Sequence, residues 1–211
     1  MKLQMSLDKI DFDDAMKLIA YVYDVIDIIE VGTPLVAIEG FGMVKKIKER
    51  YPENIVLADT KIMDGGEYVP AKAFEAGADI VTVLAAAEDA TIKKVIATAK
   101  KYGRQVLVDM IAVKNLNERV AEVDGWGADY IGVHVGVDIQ NTGRSPLEEL
   151  RKLTAVARNT ATAVAGGVDL GLIPLLAKEK PGIIICGKSI TSAADPRQMI
   201  IDMKNAMNAE V

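Results

Sequence analysis

The sequence predicts an α/β protein that forms a single (β/α)8 barrel over residues 1–211. Short runs rich in β-branched residues alternate with helix-length segments through eight units, a rhythm typical of parallel strands joined by crossover helices. Half of the residues are hydrophobic, only 5% are aromatic and 17 are glycine, which indicates strands buried on both faces by small aliphatic side chains. An open doubly wound sheet is the alternative, but such folds usually carry a glycine-rich turn after the first strand, and residues 7–10 contain no glycine.

Eight strands are predicted from these runs. In chain order they span residues 3–8, 26–31, 55–61, 80–84, 106–110, 130–135, 161–165 and 183–187. The segments between them are amphipathic, and in residues 91–102 apolar side chains recur at helical spacing against lysines. Gly77 and Gly127 each precede an Ala-Asp pair and a strand, which predicts that they end helices. Asp195 and Pro196 are typical of the N-cap and first position of a last helix.

Charge and the length of the apolar runs exclude several classes of partner. A net charge of -5 and a pI near 5.1 leave no basic face for nucleic acid. The apolar runs are far too short to span a bilayer, and the N-terminal residues lack the apolar stretch of a secretory signal. Cys186 lies in an apolar run and is predicted to be a core residue. We therefore expect a cytoplasmic protein.

Residues with useful chemistry fall at the predicted C-terminal ends of the strands, where barrel enzymes build their active sites. Strand by strand, these residues are Asp8, Glu30, Asp59 with Lys61, Asp109, His134, Gly166 with Gly167, and Gly187 with Lys188. Charged side chains that point into one mouth need partners, a metal ion or a ligand.

The stretch DTKIMD contains Asp59, Lys61 and Asp64 in the pattern Asp-x-Lys-x-x-Asp. Asp59 and Lys61 are two residues apart on one strand, so both face the same side and can form an ion pair. Glu30 and Asp59 end neighbouring strands, and their carboxylates are predicted to share a hard cation such as Mg2+, with Mn2+ as the other candidate. In the alternative interpretation, one carboxylate pairs with Lys61 and the other is solvated.

His134 is the only histidine, and it lies in an apolar stretch where a lone histidine is usually structural. Its place at a strand end favours proton transfer instead, with Asp109 orienting it or binding a substrate hydroxyl. Asp8 has two open interpretations. It orients a sugar hydroxyl or Lys61, or it caps the helix that begins near Asp11.

Two glycine-containing strand ends predict a phosphate site, because backbone N–H groups at such positions can point at one anion. Its members are Gly166, Gly167, Gly187 and Lys188. The segment 136–146 is long for a loop and carries Asp138, Gln140 and Asn141, so it is expected to fold over the mouth. We interpret its Arg144 as a surface charge.

With these residues assembled, the chain resembles the orotidine 5'-phosphate decarboxylase suprafamily nearly end to end, since Asp-x-Lys-x-x-Asp after the third strand is the shared signature of that group. Its closest likeness is to the branch that reversibly adds formaldehyde to D-ribulose 5-phosphate, giving D-arabino-hex-3-ulose 6-phosphate. The stretches that carry this likeness are LADTKIMDGG, ADIVTVLAAAEDATI, VLVDMI, DYIGVHVG, AVAGG and GKSITSAADP.

The resemblance implies a role for each strand-end residue. Glu30 and Asp59 would bind Mg2+, Lys61 and Asp64 would flank the reacting carbons, and His134 would move the proton. The glycines and Lys188 would hold the phosphate. The resemblance also implies a homodimer in which Asp64 reaches into the partner's site.

A second branch of the suprafamily, the 3-keto-L-gulonate-6-phosphate decarboxylases, is the closest rival. That branch tends to have a glutamate after strand five and an arginine three residues after the strand-six histidine, whereas this chain has Asp109 and Val137. These departures favour the aldolase. A barrel that binds a sugar phosphate without turnover is the alternative from another class, and the proton-transfer residues argue against it.

Overall fold

The computed structural model describes residues 1–209, apart from the side chains of residues 140–142. Its parallel strands close into one barrel in which each strand pairs with its sequence neighbours and β8 pairs with β1. The strands are β1 Lys2–Leu7, β2 Ile28–Val31, β3 Ile55–Ile62, β4 Ile80–Leu84, β5 Gln105–Asp109, β6 Tyr130–His134, β7 Ala161–Ala165 and β8 Ile183–Cys186. The predicted (β/α)8 fold is confirmed, and no predicted strand end is displaced by more than two residues.

Helices follow every strand and cover the outside of the barrel. They are α1 Phe12–Val22, α2 Thr33–Glu39, α3 Phe41–Arg50, α4 Tyr68–Glu75, α5 Asp89–Tyr102, α6 Leu116–Asp124, α7 Pro146–Val156, α8 Ile173–Lys178, α9 Lys188–Thr191 and α10 Pro196–Asn208. The predicted cap of the last helix is confirmed, because the Asp195 side chain accepts from the Gln198 N–H. Asp8 does not cap α1. Asp11 does, since its own side chain accepts from the Asp14 N–H at 3.0 Å.

The segment 136–146 is predicted to be a long loop, but much of it is helical. A 3-10 helix, Val137–Thr142, follows β6, and α7 begins at Pro146. Arg144 lies 3.6 Å from the Glu149 carboxylate, which confirms it as a surface charge. The predicted roles of Gln140 and Asn141 lie outside the described side chains, and movement of the segment over the mouth stays a prediction.

A cluster of apolar side chains fills the barrel interior below the polar mouth. Its buried members come from seven of the strands and are Ile28, Leu57, Ile80, Leu107, Tyr130, Ala163 and Ile183. Residues two positions further along the same strands also point into the barrel, and they lie closer to its C-terminal end. The alternation therefore places Glu30 above Ile28, Asp59 above Leu57, and Asp109 above Leu107.

At the opposite end, an aspartate repeatedly ties two strands together. It lies one residue before an even-numbered strand and accepts the N–H of the second residue of the preceding odd-numbered strand. The three pairs are Asp27 with Leu3 at 2.8 Å, Asp79 with Val56 at 2.9 Å, and Asp129 with Val106 at 2.9 Å. The glycines predicted to end helices, Gly77 and Gly127, lie two and three residues beyond the last residues of α4 and α6, whose caps are Ala76 and Gly125; both glycines have positive φ angles, of 103° and 83°. The three aspartate contacts lie at the N-terminal end of the barrel, the end that is associated with stability.

Asp124 is a buried carboxylate that holds the start of β7. It accepts the backbone N–H groups of Arg158, Asn159 and Thr160 at 2.9–3.1 Å. Burial alone would raise the pKa of Asp124, but these donors outweigh it and lower the pKa below its usual value. We expect Asp124→Ala to lower the free energy of unfolding by about 2–3 kcal/mol at neutral pH, because three backbone N–H groups, one of them that of the buried Thr160, lose a charged acceptor.

The pH dependence of this loss follows from the direction of the pKa shift. A carboxylate whose folded-state pKa is lowered contributes stability above its unfolded pKa of about 3.9, and the contribution disappears as the pH falls through the folded value. Urea unfolding at pH 7 and at the lowest pH the fold tolerates should therefore give a smaller difference at acid pH. Asp13→Ala, at an exposed position on α1, serves as the control. An equal effect of both substitutions at pH 7 would contradict the role of Asp124.

Within residues 1–209, no helix is long and apolar enough to cross a membrane. The predicted cytoplasmic location stays a prediction.

Candidate active site

The predicted polar residues gather at the C-terminal end of the barrel, where four of them form a continuous line of contacts. Lys61 Nζ lies 2.8 Å from Asp59 Oδ2 and 3.3 Å from Asp109 Oδ2. The same oxygen of Asp109 lies 3.2 Å from His134 Nδ1. The predicted ion pair between Asp59 and Lys61 is confirmed, and the line crosses the mouth from β3 to β6.

Lys61 remains charged in this setting. Burial lowers the pKa of its ammonium group, but the carboxylates of Asp59 and Asp109 outweigh burial and raise the pKa above its usual value. Its side chain is 23% exposed, so the ammonium group is shielded from bulk water without being sealed. A fixed positive charge in a partly dry mouth is suited to stabilising negative charge that develops on a bound substrate.

Asp109 is arranged to orient His134. Both of its oxygens are occupied, since Oδ1 accepts the Ile111 N–H at 2.8 Å and Oδ2 contacts Lys61 and His134. Burial would raise the pKa of Asp109, but the histidine, the lysine and the backbone donor together lower it. A carboxylate with a lowered pKa is a weak base, so this geometry favours an orienting role.

Glu30 is a buried carboxylate that lies near two other carboxylates, those of Asp59 and Asp8. Burial raises the pKa of Glu30 to about 8, and the nearby Asp59 and Asp8 add to the rise, while hydrogen bonds from Gln4 and Ser6 oppose it. Gln4 Nε2 donates to Glu30 Oε2 at 2.5 Å. Gln4 Oε1 is buried and finds no hydrogen-bond partner among the described residues.

This excess of negative charge fits a divalent cation. Within residues 1–209, no three His, Cys, Asp or Glu side chains come together closely enough to form a metal site made of protein alone. Mg2+ does not need such a cage, because it commonly binds through one or two carboxylates and takes its remaining oxygens from substrate and water. Glu30 and Asp59 offer hard oxygen donors of this kind.

Asp59 is held by two threonines that the sequence did not single out. Its Oδ2 accepts from Thr33 Oγ1 at 2.7 Å, and its Oδ1 accepts from Thr82 Oγ1 at 2.7 Å. Gln4 was missed in the same way. The period-2 alternation of β1, which places Gln4 on the same face as Ser6 and Asp8, is the signal that could have found it.

The predicted phosphate residues lie at the ends of β7 and β8. Gly166 and Gly167 have φ angles of 102° and 69°, and a Cβ on Gly166 would lie 2.2 Å from the Val135 carbonyl oxygen. Only glycine therefore fits at residue 166. Gly187 precedes α9, and Lys188 is exposed at the beginning of that helix.

Asp8 and Asp64 lie apart from the central line of contacts. Asp8 is exposed just beyond β1, where its Oδ2 accepts from Ser6 Oγ at 2.8 Å, and a Cβ on Gly187 would come within 3.7 Å of that oxygen. Asp64 is also exposed, and its Oδ1 accepts a local hydrogen bond from the Gly65 N–H at 2.6 Å. The chain therefore brings Asp8 close to the predicted phosphate site, whereas Asp64 is not among the carboxylates that pair with Lys61 in the described residues.

The fold and this site match a known family. The model of the orotidine 5'-phosphate decarboxylase / HUMPS family matches residues 1–201, so the chain belongs to this family. Within it, the chain is 47% identical over 204 residues to the 3-hexulose-6-phosphate synthase of Bacillus subtilis, covering 97% of each chain. The resemblance predicted from the sequence is confirmed.

Solved structures agree. The crystal structure of 3-hexulose-6-phosphate synthase from Salmonella typhimurium is 43% identical, covers 98% of each chain and superposes with a TM-score of 0.95. A 3-keto-L-gulonate-6-phosphate decarboxylase from Vibrio cholerae is less similar, at 26% identity over 98% of this chain and 97% of its own, with a TM-score of 0.86.

Proposed function

We propose that this chain is an aldehyde-lyase that adds formaldehyde to D-ribulose 5-phosphate, forming D-arabino-hex-3-ulose 6-phosphate, in a reversible reaction. The observation that carries the proposal is the line of contacts from Asp59 through Lys61 and Asp109 to His134, which places a fixed cation and an oriented imidazole in one mouth. The identity with named synthases supports the choice of substrates.

The proposed chemistry begins with the proton at C1 of the ketose. Asp109 accepts from Nδ1 of His134, so Nε2 is the nitrogen that takes the C1 proton. Lys61 stabilises the negative charge that develops on the enediolate oxygens. The C1 carbon then forms a bond to the formaldehyde carbon, and the carbonyl oxygen of formaldehyde accepts the proton held by His134 to become a hydroxyl group, which returns the imidazole to its neutral form.

Glu30 and Asp59 would hold Mg2+, with Mn2+ as the other candidate, and the bound cation would act as a Lewis acid toward substrate oxygens. The raised pKa of Glu30 and the unpartnered Gln4 oxygen support a cation at this place, because both indicate polar groups that the chain alone leaves uncompensated. Lys61 would still balance Asp109 when a cation shares the charge of Asp59.

The sugar phosphate would lie across the mouth. Gly166, Gly167 and Gly187 would direct backbone N–H groups to the phosphate, and Lys188 would add a positive charge. Asp8 would bind a sugar hydroxyl, a role that its exposed carboxylate beside Gly187 supports.

We expect a homodimer in which Asp64 acts in the partner's site. Asp64 is exposed, and the neighbouring Met63 and Tyr68 leave 51% and 70% of their surfaces uncovered. Two large apolar side chains beside an exposed carboxylate are consistent with a face that a second copy covers.

Subunit mixing tests this arrangement. Asp64→Asn and His134→Gln should each be nearly inactive, but a mixed dimer would contain one site with both native residues. Random re-association of equal amounts should restore about a quarter of the wild-type activity, because half of the dimers are mixed and each has one intact site. Two copies of the same variant, treated identically, provide the control. No recovery in dimers proven to be mixed would place Asp64 in its own subunit's site.

The experiment that tests the proposed function measures formaldehyde loss with ribulose 5-phosphate, in Mg2+ and after removal of metal with EDTA, alongside CO2 release from 3-keto-L-gulonate 6-phosphate. We expect rapid formaldehyde loss that EDTA abolishes and added Mg2+ restores. Dominant CO2 release would instead favour the decarboxylase, and it would contradict the inference that Asp109 and Val137 indicate the aldolase. Binding of the sugar phosphate with neither activity would indicate a non-catalytic barrel.

A further inference from the structure

The strand that carries Asp59 and Lys61 departs from regular pairing at these residues. Ala58 pairs with Val81 and Ile62 pairs with Val83, so residues 59–61 of β3 lie opposite Thr82 alone. Lys61 has a φ of 41°, in the left-handed region that side chains other than glycine rarely adopt. Such a conformation persists only where the surrounding contacts hold it.

Thr82 supplies those contacts to all three bulged residues. Its Oγ1 accepts the Lys61 N–H at 2.9 Å and donates to Asp59 Oδ1 at 2.7 Å. Its carbonyl oxygen accepts from Thr60 Oγ1 at 2.7 Å. One hydroxyl group therefore joins the backbone of Lys61 to the carboxylate of Asp59, and it is buried, with only 4% of the residue exposed.

The bulge determines where the lysine reaches. Lys61 is on β3, and its Nζ contacts Asp109 on β5 by passing over β4, the strand that carries Thr82. The extra residues in β3 are what aim this side chain across the mouth, since a bulge redirects the side chains that follow it.

We infer that Thr82 is a positioning residue whose hydroxyl sets the backbone of Lys61 and the carboxylate of Asp59, and so fixes the ammonium group between Asp59 and Asp109. This inference rests on the proposed function for its kinetic test. Thr82 would touch neither substrate nor cation, and would act through the two residues that it holds.

The test compares Thr82→Val, which keeps the shape and removes the hydroxyl, with Thr82→Ser, which keeps the hydroxyl. We expect Thr82→Val to lower kcat by about 10- to 100-fold, because a shift of about 1 Å in a catalytic group is costly, while KM for the sugar phosphate stays within about threefold. Thr82→Ser should stay close to wild type. The control is Thr162→Val. Thr162 is a buried threonine near the N-terminal end of β7, away from the mouth, and its substitution should leave kcat unchanged.

Two kinetic results would overturn the inference. One is a Thr82→Val enzyme with kcat close to that of wild type, and the other is an equal loss in the valine and serine variants. If Thr82→Val does not fold, Thr82→Ala takes its place with the same expectation. Thermal unfolding of each variant identifies the folded ones.

A crystal structure of the folded variant separates this inference from the proposed function. If wild type consumed no formaldehyde, the proposed function would fail, yet the position of Lys61 could still be compared. A changed φ at residue 61, with Nζ withdrawn from Asp109, would support the role of Thr82. An unchanged backbone and an unchanged Lys61 contact to Asp109 would overturn it.

Discussion

Replacing Lys61 with methionine should lower kcat for formaldehyde addition about 10³-fold. Lys61 is the fixed positive charge that the chain places between Asp59 and Asp109, and loss of one preorganised charge or donor at a developing oxyanion costs about 10²–10³ in rate. Methionine keeps most of the length of the side chain and removes only the ammonium group. Steady-state kinetics with saturating metal and varied ribulose 5-phosphate measure the loss, which should be in kcat more than in KM.

The same substitution should also destabilise the fold. Removing one partner of a buried ion pair leaves an uncompensated charge, and two buried carboxylates face Lys61, so we expect the free energy of unfolding to fall by about 3–5 kcal/mol at neutral pH. Lys17→Met is the matched control, because Lys17 forms an exposed pair with Asp14 at 2.7 Å on α1 and should be dispensable. A Lys61→Met enzyme with a kcat within tenfold of wild type would remove Lys61 from the proposed chemistry.

The barrel could be predicted from sequence because its signals are local. Strands buried on both faces appear as short aliphatic runs, and helices between them carry their own caps, as at Asp195. The strand ends were less certain, because pairing with a neighbour decides whether a terminal residue belongs to the strand. Asp8 illustrates this limit. It follows the last residue of β1, and the choice between a mouth residue and a helix cap depended on Asp11 taking the cap.

The central site residues were predictable because a parallel barrel brings all strand C-termini to one end, whatever the distance in sequence. The residues that hold these side chains in place could not be predicted. Thr82 meets Asp59 across 23 residues of chain, and Gln4 meets Glu30 across 26. Both contacts depend on register between strands, and the Thr82 contact depends on a bulge that sequence periodicity does not reveal. The sequence also could not distinguish Asp109 from His134 as the base. The contacts of Asp109 favour His134, because both oxygens of the carboxylate already accept hydrogen bonds.

His134→Gln should abolish exchange of the C1 proton of ribulose 5-phosphate with solvent while phosphate binding remains. Glutamine can keep a hydrogen bond to Asp109, but it cannot take a proton, and loss of a general base typically costs about 10²–10⁴ in rate. The predicted phosphate residues lie on the ends of β7 and β8 and do not depend on the imidazole. Proton NMR in D2O without formaldehyde measures the exchange directly, before any carbon–carbon bond forms.

Calorimetric binding of ribulose 5-phosphate to the same variant provides the control, and an affinity close to that of wild type would show that the mouth is intact. Exchange at the wild-type rate in His134→Gln would remove the histidine from proton transfer. The proton would then have to leave through Asp109, although both oxygens of that carboxylate are already hydrogen bonded and its pKa is lowered. Because a carboxylate held in this way is a poor base, we expect the exchange to depend on the imidazole, with Asp109 fixing the direction in which its Nε2 points.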